Sequence, residues 1–131
     1  NPNRISHGCS LGAFHAANIA FRHPELFVKL SAFSGRYDLT WDVEHFDNLF
    51  DGYYDENIYF HSPSHFLPAL ENEDKLNAIR NMDIVLVIGD EDPFLQNNKE
   101  LSIALYSFLD MRVPRFWYFQ PVVAHFTSMK N

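Results

Sequence analysis

Apolar positions change their spacing several times along this chain, and each change marks an element. Arg4 to His7 reads as a very short strand that runs into Gly8-Cys9-Ser10-Leu11-Gly12. Beyond it, Phe14, Ala17, Ile19, Ala20 and Phe21 supply an apolar surface at helical spacing, and His23-Pro24 ends it. That pattern predicts a helix from about Leu11 to Arg22, with Ala16 and Ala17 small enough to let it lie close on a sheet. Phe27 to Phe33 is an apolar-rich run stopped by Ser34-Gly35, which is how a buried strand looks. Strand, tight turn, helix, strand is a βαβ unit, so the two strands are expected to be parallel, with a right-handed crossover.

From Tyr37 to about Asn77 no regular period appears. The segment is rich in Tyr, Phe, Asp and Asn and broken by Pro63 and Pro68. Part of Trp41 to Phe50 and the second half of Ala69 to Arg80 are expected to be helical. Long connections of this kind often form pocket walls or lids. The clearest strand follows within Met82 to Gly89, around Ile84-Val85-Leu86-Val87-Ile88, and it ends in the turn Gly89-Asp90-Glu91-Asp92-Pro93. A helix from about Asn97 to Leu109 is carried by Leu101, Ala104, Leu105 and Phe108. A last strand is expected over Arg115 to Phe119, then a loop containing His125. No repeat, low-complexity tract or Gly/Ser linker divides the 131 residues, so residues 1–131 read as one domain or part of one.

Composition narrows the function classes. A hydrophobic fraction of 47%, with 13 Phe, 6 Tyr and 2 Trp, is that of a chain that packs. A formal net charge of -7 offers no basic footprint for nucleic acid or anionic membranes. The single cysteine cannot form an internal disulfide, and no apolar leader opens the chain, which favours a reducing, soluble compartment, the cytoplasm. The Asn1-Pro2-Asn3 opening, running at once into a strand, also fits a chain whose upstream part is missing.

A serine hydroxyl needs an imidazole to take its proton and a carboxylate to hold that imidazole in the right tautomer. In an α/β sheet such groups gather where the strands end, and the α/β-hydrolase order is Ser, acid, His. Ser10, Asp92 and His125 occur in that order, each just after an expected strand. Gly8-Cys9-Ser10-Leu11-Gly12 fits the G-x-S-x-G turn, in which the serine backbone is strained and the glycines let strand and helix approach. The Leu11 N–H, at the helix start, is then one oxyanion donor. Asp90 competes with Asp92 for the acid role; Asp92 is favoured as the deeper residue of the turn, and its plainer alternative is to cap the next helix. Cys9 reads as a small buried residue.

Other polar groups point to no second chemistry. His61 and His65 are four apart, but Ser62-Pro63-Ser64 disfavours a helix between them and no third ligand is evident, so a structural role is preferred to a metal. Asp51, Asp55 and Glu56 lack the spacing of a calcium loop and read as a solvated face. Phe46, Phe50, Tyr53, Tyr54, Tyr59 and Phe60 are candidates for a substrate pocket, with core packing an equal alternative. No cofactor is implied.

With these residues in view, the chain resembles the putative esterase family of the α/β-hydrolase superfamily, the group related to esterase D and S-formylglutathione hydrolases. The likeness lies in His7 to Ala17 with Arg22-His23-Pro24-Glu25-Leu26-Phe27, in Ser31 to Gly35 with Tyr37-Asp38-Leu39, in Gly52 to Phe60 with Ser62-Pro63, and in Val87 to Phe94. The resemblance implies Ser10 as nucleophile, Asp92 as acid and a Ser-Asp-His triad acting through an acyl-enzyme on a small-molecule ester. Two departures accompany it. His125 is not followed by the family's Asp-Trp-Pro-like run, and the strands that precede the turn in the family, with the second oxyanion donor, are absent.

The expectation is therefore a partial α/β-hydrolase fold, a mostly parallel sheet flanked by helices, with its N-terminal strands missing and an edge open to pairing with a second copy. Its activity is expected to be that of a serine carboxylesterase. The alternative is a truncated, catalytically incompetent fragment with at most a structural or interaction role. Acyl transfer to an alcohol other than water is not separated from hydrolysis by these residues.

Overall fold

A computed structural model describes residues 3–40, 42, 47, 49–50, 52–89, 91–108, 116–118 and 122–126, the last two stretches and residues 107–108 as backbone. Strand β1, Arg4–Cys9, leads through Ser10 into helix α1, Leu11–Arg22, and a 3-10 turn at Pro24–Leu26 hands the chain to β2, Phe27–Phe33. β1 is two residues longer than the sequence pattern suggested, because its backbone keeps pairing with β2 as far as Cys9 opposite Phe33. Two short helices follow, α2 (Glu56–Phe60) and α3 (Pro63–Phe66), then α4 (Glu73–Arg80), β3 (Asp83–Ile88) and α5 (Leu95–Ile103). A π turn at Ala104–Phe108 continues α5, and β4 (Phe116–Tyr118) and β5 (Val122–Phe126) complete the order.

The sheet runs β1-β2-β3-β5-β4. Pairing is parallel from β1 through β3 and antiparallel from β3 to β5 and from β5 to β4. Three parallel strands flanked by helices make a partial α/β fold, as the βαβ pattern required. The expected terminal loop around His125 is instead strand β5, with His125 opposite Val85. The apolar run Val122-Val123-Ala124 carries strand propensity through the histidine, and the β3 edge offers it a partner.

Register separates two sets of side chains on β1 to β3. Leu30, Ala32, Ile84 and Leu86 face one side and are almost fully buried, joined by Ala13, Ala17, Ala20 and Phe21 of α1, Leu76 and Ile79 of α4, and Leu101 of α5. The alanines let α1 lie close on the sheet, as read from the sequence. The other side carries Ile5, His7, Cys9, Lys29, Ser31 and Phe33, which are exposed or half-buried. Cys9, expected to be buried, is exposed for this reason: it falls on the face that no described helix covers. No helix among the described residues is long and apolar enough to cross a membrane.

Candidate functional site

Ser10 occupies the single residue between β1 and α1, with φ 58° and ψ -123°. Its N–H donates to the Phe33 carbonyl at 2.9 Å and its carbonyl accepts from the Ala13 N–H at 3.0 Å, so strand and helix fix it from both sides. A non-glycine residue at positive φ is strained, and such strain gathers at working sites. Gly8 makes the turn possible, since a Cβ there would collide with the backbone of Gly12 and Ala13. Gly12, expected to act similarly, has open space around the Cβ position, so the close approach falls on Gly8 alone. Leu11 opens α1, where the first N–H groups have no intrahelical acceptor and the helix end is positive.

Asp92 sits in the turn after β3. Its Oδ1 accepts from the Phe94 N–H at 2.8 Å, and its N–H donates to the Gly89 carbonyl at 3.1 Å. The plainer alternative, a cap on the next helix, is not what it does: α5 starts at Leu95 with Phe94 at its N-cap and no side-chain cap bond, and the Asp92 carboxylate closes a turn just before it. It also lines a cleft of about 410 Å³ together with Ser10, Leu11, Ser34 and Arg36, with Pro93, Phe94, Leu39 and Leu49 as apolar wall. Ser10 and Asp92 therefore share one cavity at the ends of parallel strands, where α/β sheets place ligands. The competing Asp90 lies outside the described residues.

The His125 backbone lies in β5. Its row across the sheet is Val85, Ser31 and His7, three strands from β1 and three residues short of Ser10. At ordinary strand spacing and rise, that puts the two backbones roughly 17 Å apart.

Two consecutive asparagines on α5 hold the loop that follows β2. Asn97 Oδ1 accepts from the N–H groups of Tyr37 (2.6 Å) and Asp38 (3.0 Å), and its Nδ2 donates to the Asp38 carbonyl. Asn98 Nδ2 donates to the carbonyls of Gly35 (2.7 Å) and Phe94 (3.0 Å). Both are buried, so the loop bearing Arg36 is tied to α5, the helix that follows the Asp92 turn. Burial pushes the Tyr37 hydroxyl well above its ordinary pKa.

A second polar cluster escaped the sequence reading. Asp38 Oδ2 accepts from His65 Nε2 at 2.7 Å, and the other ring nitrogen meets the Tyr54 hydroxyl at 2.7 Å. Burial alone would raise the Asp38 pKa, but hydrogen bonds from His65 and Thr40 outweigh it and hold the carboxyl below its ordinary value. Asp38 and His65 are 27 residues apart, so only the fold unites them. His61 turns elsewhere, accepting from Arg22 Nη1 at 2.8 Å. The two histidines thus have separate structural partners, and no group of three metal-ligating side chains occurs among the described residues.

The described aromatic residues weighed as pocket wall or core differ in exposure. Tyr53, Tyr54 and Phe60 are exposed and Tyr59 packs on the core. Phe46 lies outside the described residues, as do Asp51, His45 and most of Trp41 to Phe50. Asp55, read as solvated, caps α2 by accepting from the Ile58 N–H.

No curated protein and no solved structure matches the chain. The sequence model of the putative esterase family does match, over residues 1–118, a span that holds Ser10, Asp92 and the whole parallel part of the sheet and stops before His125. With that match over most of its length, the chain belongs to the putative esterase family.

Proposed function

We propose that this chain hydrolyses carboxylic esters through an acyl-enzyme on Ser10. The observation that carries the reading is the sharing of one cleft by a strained, helix-starting Ser10 and the carboxylate of Asp92. Ser10 Oγ attacks the ester carbonyl, the Leu11 N–H stabilises the developing oxyanion, and the alcohol leaves with the proton that the base took from serine. Water then repeats the attack, releasing the acid and restoring the hydroxyl. Asp92 is the acid that orients the base. His125, whose backbone pairs in register with β3 as part of β5, is the sequence candidate for that base.

That register favours a second reading: an esterase-family chain with an acylable serine and no turnover. Labelling with a fluorophosphonate, beside p-nitrophenyl acetate hydrolysis, separates the two. Under the first reading Ser10→Ala abolishes both signals, and Asp92→Asn or His125→Ala lowers kcat by about 10³-fold or more. Labelling that depends on Ser10 with no turnover selects the second reading. Labelling that survives Ser10→Ala removes the nucleophile assignment altogether.

A further inference from the structure

We propose that the Ser34 hydroxyl is a substrate-contacting group that donates a hydrogen bond to the departing alcohol oxygen of the ester. The inference rests on the Ser10 reading of the cleft and adds a residue to its chemistry. Ser34 lines that cleft with Ser10 and Asp92, and it is exposed.

Its backbone repeats that of the nucleophile one strand along. The Ser10 N–H donates to the Phe33 carbonyl at 2.9 Å, and the Ser34 N–H donates to the Val87 carbonyl at 2.7 Å. Each serine then leaves its strand at positive φ, 58° for Ser10 and 55° for Ser34, the two non-glycine residues among those described that do so. A side chain at positive φ is strained, and glycine would hold the turn with less. Glycine comes one residue later instead, where a Cβ would strike the Tyr37 ring. Asn98 Nδ2 on the Gly35 carbonyl and Asn97 Oδ1 on the Tyr37 N–H tie down the chain that follows, so the strain at Ser34 is imposed from both sides.

Position across the sheet assigns the role. Strands β1, β2 and β3 run parallel in that order, so Ser34 follows the middle strand, between Ser10 and the turn of Asp92. Cys9 and Phe33 are register partners and adjacent strands lie about 5 Å apart, so an ester held at Ser10 Oγ is within reach of the Ser34 side chain. The Leu11 N–H holds the oxyanion at the start of α1. The base that Asp92 orients works from the β3 side, and it hands the serine proton to the alcohol oxygen as the carbon–oxygen bond breaks. Ser34 stands on that side; its hydroxyl keeps its own proton and stabilises the negative charge that gathers on the leaving oxygen.

Phenyl acetate and p-nitrophenyl acetate deliver the same acyl group and differ in how much charge the leaving oxygen carries. Rates of Ser10 acetylation by the two are read as kcat/KM where turnover occurs, and by intact-protein mass where the acyl group stays on. Ser34→Gly relieves the backbone and Ser34→Ala does not, so the urea midpoint is expected to rise in the first and not in the second. Both lack the hydroxyl, and in both phenyl acetate is expected to lose about tenfold more rate than p-nitrophenyl acetate. A rate ratio that stays at the parent value in Ser34→Gly overturns the proposal, even if Ser34→Ala loses it. A parent chain with no Ser10-dependent acetylation overturns the Ser10 reading and this contact with it, whereas acetylation with an unchanged ratio removes Ser34 alone.

Discussion

The two faces of the β1–β3 sheet are built from similar strands and have opposite surroundings. On one, Leu30, Ala32 and Ile84 lose essentially all contact with solvent beneath α1, α4 and α5. On the other, Ile5 is 61% and Phe33 38% exposed, and the order is kept by local contacts: His7 Nδ1 on the Ser31 carbonyl at 3.0 Å, its ring edge-on to Phe33, and Lys29 3.8 Å from Asp83. An exposed ion pair of that length contributes about 0–1 kcal/mol. Folding free energy is therefore concentrated on the helix side, and the residues that shape the cleft hang from that side through α5.

The contrast is broken most directly by paired truncations. Ile84→Ala on the covered face is expected to destabilise by about 2–5 kcal/mol, since a buried side chain is lost and a cavity remains. Its neighbour Val85→Ala, on the other face, is expected to lose about 1 kcal/mol or less. Urea unfolding of both variants reads the difference as a shift in midpoint at constant slope. Similar losses would mean that the second face is covered in solution.

The same asymmetry explains what could be read in advance. The bounds of α1 and β2 were legible because their signals are local: helical spacing, small residues and a proline at one end, an unbroken apolar run at the other. The strand–turn–helix setting of Ser10 and the turn holding Asp92 were legible for the same reason. α2 and α3 were not, since four or five residues give no period; the Asp55 cap and Pro63 at a first turn were the only signs. The exposure of Cys9 depends on what lies over a sheet face, which no local pattern encodes. The Asp38–His65 pair and the Asn97 and Asn98 anchors join residues 27 to 63 positions apart, and their letters are those of ordinary turns and helices. For His125 the order of residue types pointed to a loop, while the apolar residues around it carried the strand signal that prevailed.

Polar anchors on the helix side sharpen the comparison. Asn97→Ala leaves two buried backbone donors and one acceptor without the partner they have now, so a loss of about 2–3 kcal/mol is expected, with faster hydrogen exchange at Tyr37 and Asp38. Exchange rates unchanged at those amides would show that α5 does not hold the loop. Acid gives a somewhat smaller effect through Asp38. Its carboxyl has a lower pKa folded than unfolded, so its stabilisation is present above the unfolded value near pH 4 and is lost as pH falls through the folded one. The part of the stability that this carboxylate supplies through His65 and Thr40 is expected to disappear on that descent. Asp38→Asn should flatten that part of the stability–pH curve, and a curve of unchanged slope would remove Asp38 as its source.

The smallest expected effect tests the exposed face itself. Phe33→Ser removes a large apolar side chain from a site 38% open to solvent, opposite Cys9 at the end of β2. If the face is bare, stability should change by about 0.5 kcal/mol, and self-association should fall, because an apolar patch beside β1, the edge strand among the described residues, is diminished. Light scattering across a concentration series, run beside the unfolding curves, reads both quantities. A loss of several kcal/mol that grows with protein concentration would instead identify Phe33 as part of a contact between copies, making the second face as much an interior as the first.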